Sequence, residues 1–413
     1  MRGDMDVLKD PLVFLYLQIE AALKSAGLAP ALVNVIMQLI GVVVVATFCL
    51  LLIIFTTWLE RKVVARMQDR LGPNRAGPFG ILQSIADVIK FLTKEDLMPT
   101  GADRWVFNIA PLLAVIAVLL IWAVIPFSWN VIGTNVNIGV IYVVAVGAFG
   151  TLSILMAGWG SNNKYALLGA FRVVAQLISY EVPMILALLV PVLLARSMRM
   201  NDIVMAQGVW FIVLAPIAAL IFFITSLAEV GRTPFDLLEA ESEIVAGYHL
   251  EYSGMKWALF MLAEFLHAFT ISALFATLFL GGWRGPGVGD LNRPGIPILG
   301  VVYFLIKSFL VYFVVMWVRG TLPRIRIDHM LAFCWKFLTP VALVNISVMA
   351  VVDKLIPTTA ELGGRAGILL LTNLVMGVGI LVAVGMVAHR ARQREAALLA
   401  QAEALPATVG TAR

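Results

Sequence analysis

Charged side chains are scarce in this chain: Asp, Glu, Lys and Arg together make up only 13% of its 413 residues. Soluble domains carry about a quarter charged residues, so a soluble domain of this length is excluded. Hydrophobic residues make up 61%, and a lipid bilayer is the solvent that suits so much apolar surface. The composition predicts an all-α fold, a polytopic membrane bundle of about nine transmembrane helices with one amphipathic helix at the interface.

Cysteine and histidine are also few, and neither is spaced for a metal. The two cysteines, Cys49 and Cys334, form no CxxC pair, and the four histidines form no HExxH pattern. Iron–sulfur clusters, zinc ions and c-type haem are bound by such spacings. We therefore expect no metal site on this chain, and any redox electrons are expected to be carried by something else.

Nine apolar stretches are long enough to cross a bilayer, which takes about 20 helical residues. They lie near 34–57, 106–126, 138–159, 171–195, 210–230, 255–281, 298–318, 332–352 and 366–388. A shorter segment, 12–23, contains Glu20 and is predicted to lie at the membrane surface. We expect an N-terminal segment 1–33, an eight-helix core 34–352, and a final helix with its tail at 353–413.

The distribution of basic residues predicts the orientation of the chain. Most loop Lys and Arg fall in 58–105, in 319–331 and in the C-terminal tail, and loops rich in these residues face the cytoplasm. The N-terminus is then outside and the C-terminus cytoplasmic. The formal net charge is +5, but the basic residues are spread over short loops, so no nucleic-acid partner is expected.

The loop 58–105 contains an amphipathic segment. Gly72-Pro73-Asn74 and Gly77-Pro78 predict turns, and apolar residues at helical spacing follow them. The opposite face of that helix carries Gln83, Asp87, Lys90 and Lys94. Two interpretations stay open: a helix lying among the lipid headgroups, or one wall of a cavity at the membrane surface, lined by Asp87 and the basic residues.

The loop 231–254 is rich in carboxylates. Around it, a single Arg232 is set against Glu229, Asp236, Glu239, Glu241, Glu243 and Glu251. A solvated acidic loop is one interpretation, but the loop is short, adjoins two spans and alternates its charges with apolar residues. Carboxylates crowded near a low dielectric repel one another, which raises some of their pKa values. They would exchange protons as a coupled set.

Ionisable residues also fall inside the predicted spans, where charge is costly and often marks a proton relay. They are Glu181 beside Tyr180, then Glu264 with His267, and Lys307. A structural alternative also stays open, in which Glu264 forms a buried pair with Lys307 and His267 is a hydrogen-bonded interior imidazole.

These motifs resemble the quinone-channel membrane subunit of respiratory complex I, the family of the bacterial H subunit and the mitochondrial subunit 1 of NADH-quinone oxidoreductase, over roughly 34–352. The motifs that carry the resemblance are Glu60-Arg61-Lys62, Gly72-Pro73-Asn74, Gly77-Pro78, Gln83 with Ala86-Asp87 and Lys90, Gln176 to Glu181, Arg232 to Asp236, Glu239, Glu241, Glu243, Glu251-Tyr252, and Arg319 to Asp328 with Trp335. Two positions depart from the family pattern, with Ala65 for Gly and Gly231 for Asn. Gly231 is expected to loosen the acidic loop.

The resemblance implies a membrane subunit of a proton-pumping NADH:quinone oxidoreductase in a bacterial plasma membrane. Its substrate is then a quinone, ubiquinone or menaquinone, and its partners are the other membrane subunits and the peripheral-arm subunits that hold the flavin and the iron–sulfur clusters. The residues implied for the quinone tunnel are Glu60, Arg61, Asp87, Arg232, Phe235 and Asp236. Those assigned to proton coupling are Tyr180, Glu181, Glu229, Glu239, Glu241, Glu243 and Glu264.

Two other functions fit the helices and the carboxylates. The membrane subunit of an energy-converting hydrogenase would share the bundle but need no quinone tunnel. A stand-alone proton-coupled transporter would use the intramembrane Glu and Lys residues, but it leaves the amphipathic segment and the acidic loop unexplained. The complete motifs at 60–96 and 228–252 favour the quinone enzyme.

Overall fold

The fold is known from a computed structural model, which describes residues 11–27, 29–236, 247–288, 296–356 and 362–404. All regular structure within these ranges is helical. The helices are α1 (Pro11–Ser25), α2 (Pro30–Met67), α3 (Gln83–Thr93), α4 (Arg104–Ile121), α5 (Gly139–Gly160), α6 (Lys164–Ala195), α7 (Met200–Ala206), α8 (Phe211–Leu214), α9 (Pro216–Val230), α10 (Gly254–Phe279), α11 (Pro297–Thr321), α12 (Ile327–Phe333), α13 (Thr339–Leu355) and α14 (Leu362–Ala404). The predicted proton-coupling residues Glu239, Glu241 and Glu243 lie outside the described residues.

Eight helical stretches in the described part of the chain are long and apolar enough to cross a membrane. They are α2, α4, α5, α6, α10, α11, α14 and the continuous run of α12 and α13. Each overlaps one of the predicted spans, so hydropathy alone located eight of the nine. The fold class is confirmed as a polytopic helical membrane bundle.

The ninth predicted span, 210–230, is not one helix. It is divided into α8 and α9 at Ala215, because Pro216 has no backbone N–H with which to continue the helical hydrogen-bond ladder. The longer piece, α9, has only 15 residues, fewer than the roughly 20 that a perpendicular span requires. Hydropathy was right about the apolar character here and wrong about continuity.

The helix ends that carry the predicted site residues meet at one end of the bundle, here called the charged end. There α2 continues to Met67, past the end predicted at 57, so that Glu60 lies within a helix and is buried. Residues 231–236 and 319–326 lie at the same end, because Arg232 and Arg319 both reach Glu60. The chain thereby gathers its least apolar segments in one place.

Gly231 closes α9 at the charged end. Its φ of 70° lies in the left-handed region, which glycine adopts without steric penalty. The N–H of Gly231 donates to the carbonyl of Ala228, and the N–H of Arg232 donates to the carbonyl of Leu227. Such bonds are those of a helix C-cap. Gly231 therefore ends the helix and positions Arg232, and the expected loosening of the acidic loop is not tested, since residues 237–246 lie outside the described part of the chain.

The last helix, α14, is attached to the rest of the bundle by polar contacts. Arg365 Nη2 lies 2.5 Å from Asp353 Oδ1, and Arg196 pairs with the same carboxylate at 3.5 Å. Further along, Asn373 is only 1% exposed and donates from Nδ2 to the carbonyl of Leu214, at 2.8 Å. These contacts connect α14 to α13 and α8, and through Asp353 to the end of α6. The helix α14 is therefore a specific part of the fold rather than a loose anchor.

Replacing Asn373 by Leu should loosen this attachment. The variant loses the hydrogen bond to Leu214, and such interhelical bonds in membranes contribute about 1 kcal/mol. We expect the thermal unfolding temperature of the purified, detergent-solubilised complex to fall. Thr372→Leu is the matched control, because the Thr372 hydroxyl donates to the carbonyl of Ile368 in its own helix. Equal unfolding temperatures for the two variants would contradict the assignment.

Candidate functional site

A buried cluster of charges lies at the charged end. We call it the charge cluster; its members are Glu60, Arg232, Glu264, Tyr312 and Arg319. Arg232 Nη1 lies 2.6 Å from Glu60 Oε1, and Arg319 also contacts that oxygen. The Tyr312 hydroxyl donates to Glu60 Oε2 at 3.0 Å. Arg232 Nε lies 3.1 Å from a carboxylate oxygen of Glu264. Three helices, α2, α10 and α11, and the segment after α9 thus meet at one ion pair.

The electrostatics of the cluster depend on its burial. The side chains of Glu60 and Arg232 are almost completely buried, and the guanidinium of Arg232 also lies over the Phe265 ring at 4.6 Å. Two carboxylates face two guanidinium groups, so the charges balance when all are ionised. Removing one partner of a buried pair leaves an uncompensated charge and costs about 3–5 kcal/mol. The cluster is therefore sensitive to any change of charge beside it.

One donor of the cluster is unused. Arg232 Nη2 is buried and makes no hydrogen bond to any residue that the structure describes. A guanidinium N–H is a strong donor to carbonyl or anionic oxygen. Arg232 therefore keeps a donor that is not used in its pair with Glu60.

The suggested buried pair of Glu264 with Lys307 is wrong. Glu264 pairs with Arg232, whereas Lys307 Nζ donates to the carbonyls of Gly282, at 2.9 Å, and Arg284, at 2.7 Å. The Lys307 side chain thus covers backbone carbonyls that follow the end of α10, away from the charge cluster. Both residues were visible in the sequence, but only the antiparallel packing of α10 and α11 decides which partner each one meets.

A second group, here called the Tyr180 cluster, joins α6 to α9; its members are Gln176, Tyr180, Glu181, Glu229 and Phe235. Gln176 Nε2 donates to the carbonyls of Ala228, at 2.7 Å, and Phe235, at 2.9 Å. The rings of Tyr180 and Phe235 lie 5.2 Å apart. Glu181 follows Tyr180 in α6, and Glu229 follows Ala228 in the last turn of α9. The structure therefore brings together four of the predicted residues, and adds Gln176.

Residues 232–236 connect the two clusters. Arg232 belongs to the charge cluster and Phe235 to the Tyr180 cluster, and the N–H of Phe235 donates to the carbonyl of Arg232 at 2.8 Å. Asp236 is held by Arg324 at 3.0 Å, and the carbonyl of Pro234 accepts from the N–H of Ile325. The two clusters are therefore only three residues apart along the chain.

The remaining predicted tunnel residues form a separate pair at the surface. Arg61 Nη1 lies 2.5 Å from Asp87 Oδ2, and Gln83 Nε2 donates to Asp87 Oδ1 at 3.2 Å. Glu60 and Arg61 are neighbours in α2, but Glu60 is turned into the charge cluster and Arg61 towards α3. The six predicted tunnel residues thus lie at one end of the bundle without sharing a single contact network.

Helix α3 packs its polar face on α2. The hydroxyls of Thr57 and Ser84 lie 2.9 Å apart, and Trp58 Nε1 donates to the carbonyl of Phe79. The apolar side chains are left exposed, among them Phe79 at 77%, together with Leu82, Ile85, Ile89 and Leu92. The predicted amphipathic helix is confirmed, and its outward apolar face suits lipid or a partner protein.

The far end of the acidic loop is fixed to α4 and to the turn after α5. The Tyr252 ring stacks on Phe107 at 4.1 Å, and its hydroxyl donates to the Phe107 carbonyl. Asn163 Nδ2 donates to Glu251 at 2.7 Å. Burial lowers the pKa of His249 to about 4, so this imidazole is neutral near pH 7 and does not offset the carboxylates of the loop.

The segment 319–328, which belongs to the resemblance, has one contact in the interior and two at the surface. Arg319 reaches the buried Glu60, and the exposed Arg324 pairs with Asp236. Arg326 and Asp328 pair with each other at 3.0 Å and are exposed. Sequence reasoning also gave no role to Tyr312, whose only signal was a hydroxyl within a predicted span.

A model of the NADH dehydrogenase family matches residues 40–350. The H subunit of NADH-quinone oxidoreductase from Dehalococcoides mccartyi strain CBDB1 is 50% identical over 312 residues, which cover 76% of this chain and 86% of that protein. The H subunit from Carboxydothermus hydrogenoformans is 47% identical over 325 residues, covering 78% and 91%. One H subunit from Geobacter metallireducens is 44% identical, covering 78% and 98%. The chain belongs to the NADH dehydrogenase family, among the H subunits of NADH-quinone oxidoreductase.

Proposed function

We propose that this protein forms the quinone access tunnel and the first part of the proton-coupling path of its complex. The observation that carries the proposal is the direct connection of the charge cluster to the Tyr180 cluster through residues 232–236. One cluster offers a donor for a substrate oxygen, and the other holds two carboxylates. A redox event at the first is thereby able to influence protonation at the second.

In this proposal the part of the tunnel that receives the quinone, called the quinone end, is formed by the charge cluster together with Arg61 and Asp87. A quinone that takes up two electrons and two protons becomes a quinol, and its oxygens become strongly basic as the electrons arrive. The electrons come from NADH through the flavin and iron–sulfur clusters of the partner subunits. In this proposal Arg232 Nη2, which has no hydrogen-bond partner among the described residues, donates to such an oxygen, and the bond strengthens as negative charge develops.

The proposed proton path begins at the Tyr180 cluster. Negative charge beside Arg232 weakens the hold of this guanidinium on Glu60 and Glu264, and in a low dielectric the effect is large. Phe235 packs on Tyr180 three residues further on. Glu181 and Glu229 then take up or release protons as a coupled pair. Glu239, Glu241 and Glu243 are proposed to continue the path, on the resemblance of their motif alone.

The proposed orientation places the charged end in the cytoplasm. Its loops carry most of the loop Lys and Arg, and the peripheral-arm subunits are then able to dock on the exposed residues of α3 and of 319–328. The N-terminus would be outside and the end of α14 cytoplasmic. The relatives at 44–50% identity carry the quinone-oxidoreductase name, which favours this function over the hydrogenase and transporter alternatives.

Glu181→Gln tests the proton path. The amide keeps the shape of the side chain but cannot titrate, so we expect normal assembly with loss of proton pumping or of quinone reduction. Proton uptake by sealed vesicles and NADH:quinone activity are the measurements. Glu20→Gln is the control, because Glu20 pairs with Lys24 on the peripheral α1. A Glu181→Gln complex that assembled and pumped normally would exclude Glu181 as a relay.

Arg61→Ala tests the quinone end. Loss of the Arg61–Asp87 pair should raise the KM for quinone, while electron transfer from NADH to a water-soluble acceptor at the flavin stays intact. The control is Arg104→Ala, which removes an exposed arginine at the start of α4. An unchanged dependence of the rate on quinone concentration would count against a role for Arg61 in quinone access.

A further inference from the structure

The run of α12 and α13 is interrupted by a π-helical turn at Cys334–Leu338. The N–H of Thr339 donates to the carbonyl of Cys334, five residues back, and the Thr339 hydroxyl donates to the same carbonyl. Pro340 follows and has no N–H, so it cannot make the α-helical bond to Lys336. The sequence thus accounts for the turn. Such turns are rare and frequently mark functional sites.

The turn presents two consecutive side chains to one residue of α6. Cys334 Sγ donates to the carbonyl of Ser179 at 2.8 Å, and Trp335 Nε1 donates to the Ser179 hydroxyl at 3.2 Å. The carbonyl of Ser179 is available because Pro183, four residues on, has no N–H to give it. One proline therefore frees an acceptor, and the π-helical turn supplies the donor.

The same stretch of α6 carries the Tyr180 cluster. The Tyr180 hydroxyl donates to the carbonyl of Met330 at 3.1 Å, so three hydrogen bonds hold residues 179–180 against α12 and the π-helical turn. Glu181 comes next in the chain. Pro183 removes one backbone hydrogen bond within α6. The orientation of residues 179–181 therefore depends on contacts with other parts of the chain.

We infer that Cys334 and Trp335 are positioning residues for Tyr180 and Glu181. Their two hydrogen bonds to Ser179 hold the turn of α6 that also carries Tyr180 and Glu181. The inference rests on the proposed function of Glu181 as a proton relay and adds the device that holds it in place. Neither residue is assigned to contact the quinone, so their loss should slow turnover without changing quinone affinity.

The test uses the whole complex and two matched pairs of variants. Cys334→Ala removes a donor, whereas Cys334→Ser retains one as a hydroxyl. Trp335→Phe removes the indole N–H but keeps an aromatic ring, whereas Trp317→Phe changes a tryptophan of α11 that is 55% exposed. We expect Cys334→Ala and Trp335→Phe to lower kcat by about 3- to 10-fold, equivalent to roughly 1 kcal/mol, with the KM for quinone unchanged. Cys334→Ser and Trp317→Phe should stay within about twofold of the natural protein.

Three results would overturn the inference. The first is normal kcat and normal proton-to-electron ratio in assembled Cys334→Ala and Trp335→Phe complexes. The second is equal loss in Cys334→Ala and Cys334→Ser, because packing rather than hydrogen bonding would then matter. The third is a rise in the KM for quinone that is as large, as a fold-change, as the fall in kcat. If Trp335→Phe does not assemble, the two Cys334 variants decide alone.

Glu181→Gln, measured beside them, separates this inference from the proposed function. Loss of pumping in Glu181→Gln with no effect at Cys334 and Trp335 would reject the positioning role and leave the relay standing. Normal pumping in Glu181→Gln would reject the relay itself, and the positioning role with it.

Discussion

The buried ion pair of Glu60 with Arg232 is the interaction on which the rest of the site depends. It joins residues 172 positions apart in the chain, and Tyr312, Arg319 and Glu264 are arranged around it. Two charges in an apolar interior are stable only while each has its partner. The pair is contacted by groups from α2, α10, α11 and the segment after α9, so a change of charge beside it acts on residues of all four.

The two clusters lie close together along the chain, and the proposed influence of the ion pair on the Tyr180 cluster depends on this proximity. Arg232 and Phe235 belong to different clusters, yet a single backbone hydrogen bond connects them. The Tyr180 cluster is held in turn by Gln176 on one side and by the π-helical turn on the other. In the proposed coupling, a change in the position of the Arg232 guanidinium acts on the contact between Phe235 and Tyr180, three residues further along the chain.

Much of the architecture could be predicted from the sequence, because hydropathy at a membrane depends mainly on local composition. Eight spans and the amphipathic α3 followed from it. Pro216 was visible in the sequence, but hydropathy averaged over the apolar residues around it does not reveal that the helix breaks there. The partners of Glu264 and Lys307 could not be predicted, since they depend on how two helices pack. The roles of Gln176, Cys334 and Trp335 were hidden for the same reason: each acts on a carbonyl or hydroxyl of a distant helix.

The central claim is that reduction of the quinone at the charge cluster changes the protonation of Glu181. Infrared difference spectroscopy of the purified complex, recorded between its oxidised and quinol-bound states, tests this most directly. The account predicts a carboxyl band that changes on reduction in the natural protein and is missing in the Glu181→Gln complex. Identical difference spectra for the two complexes would contradict it.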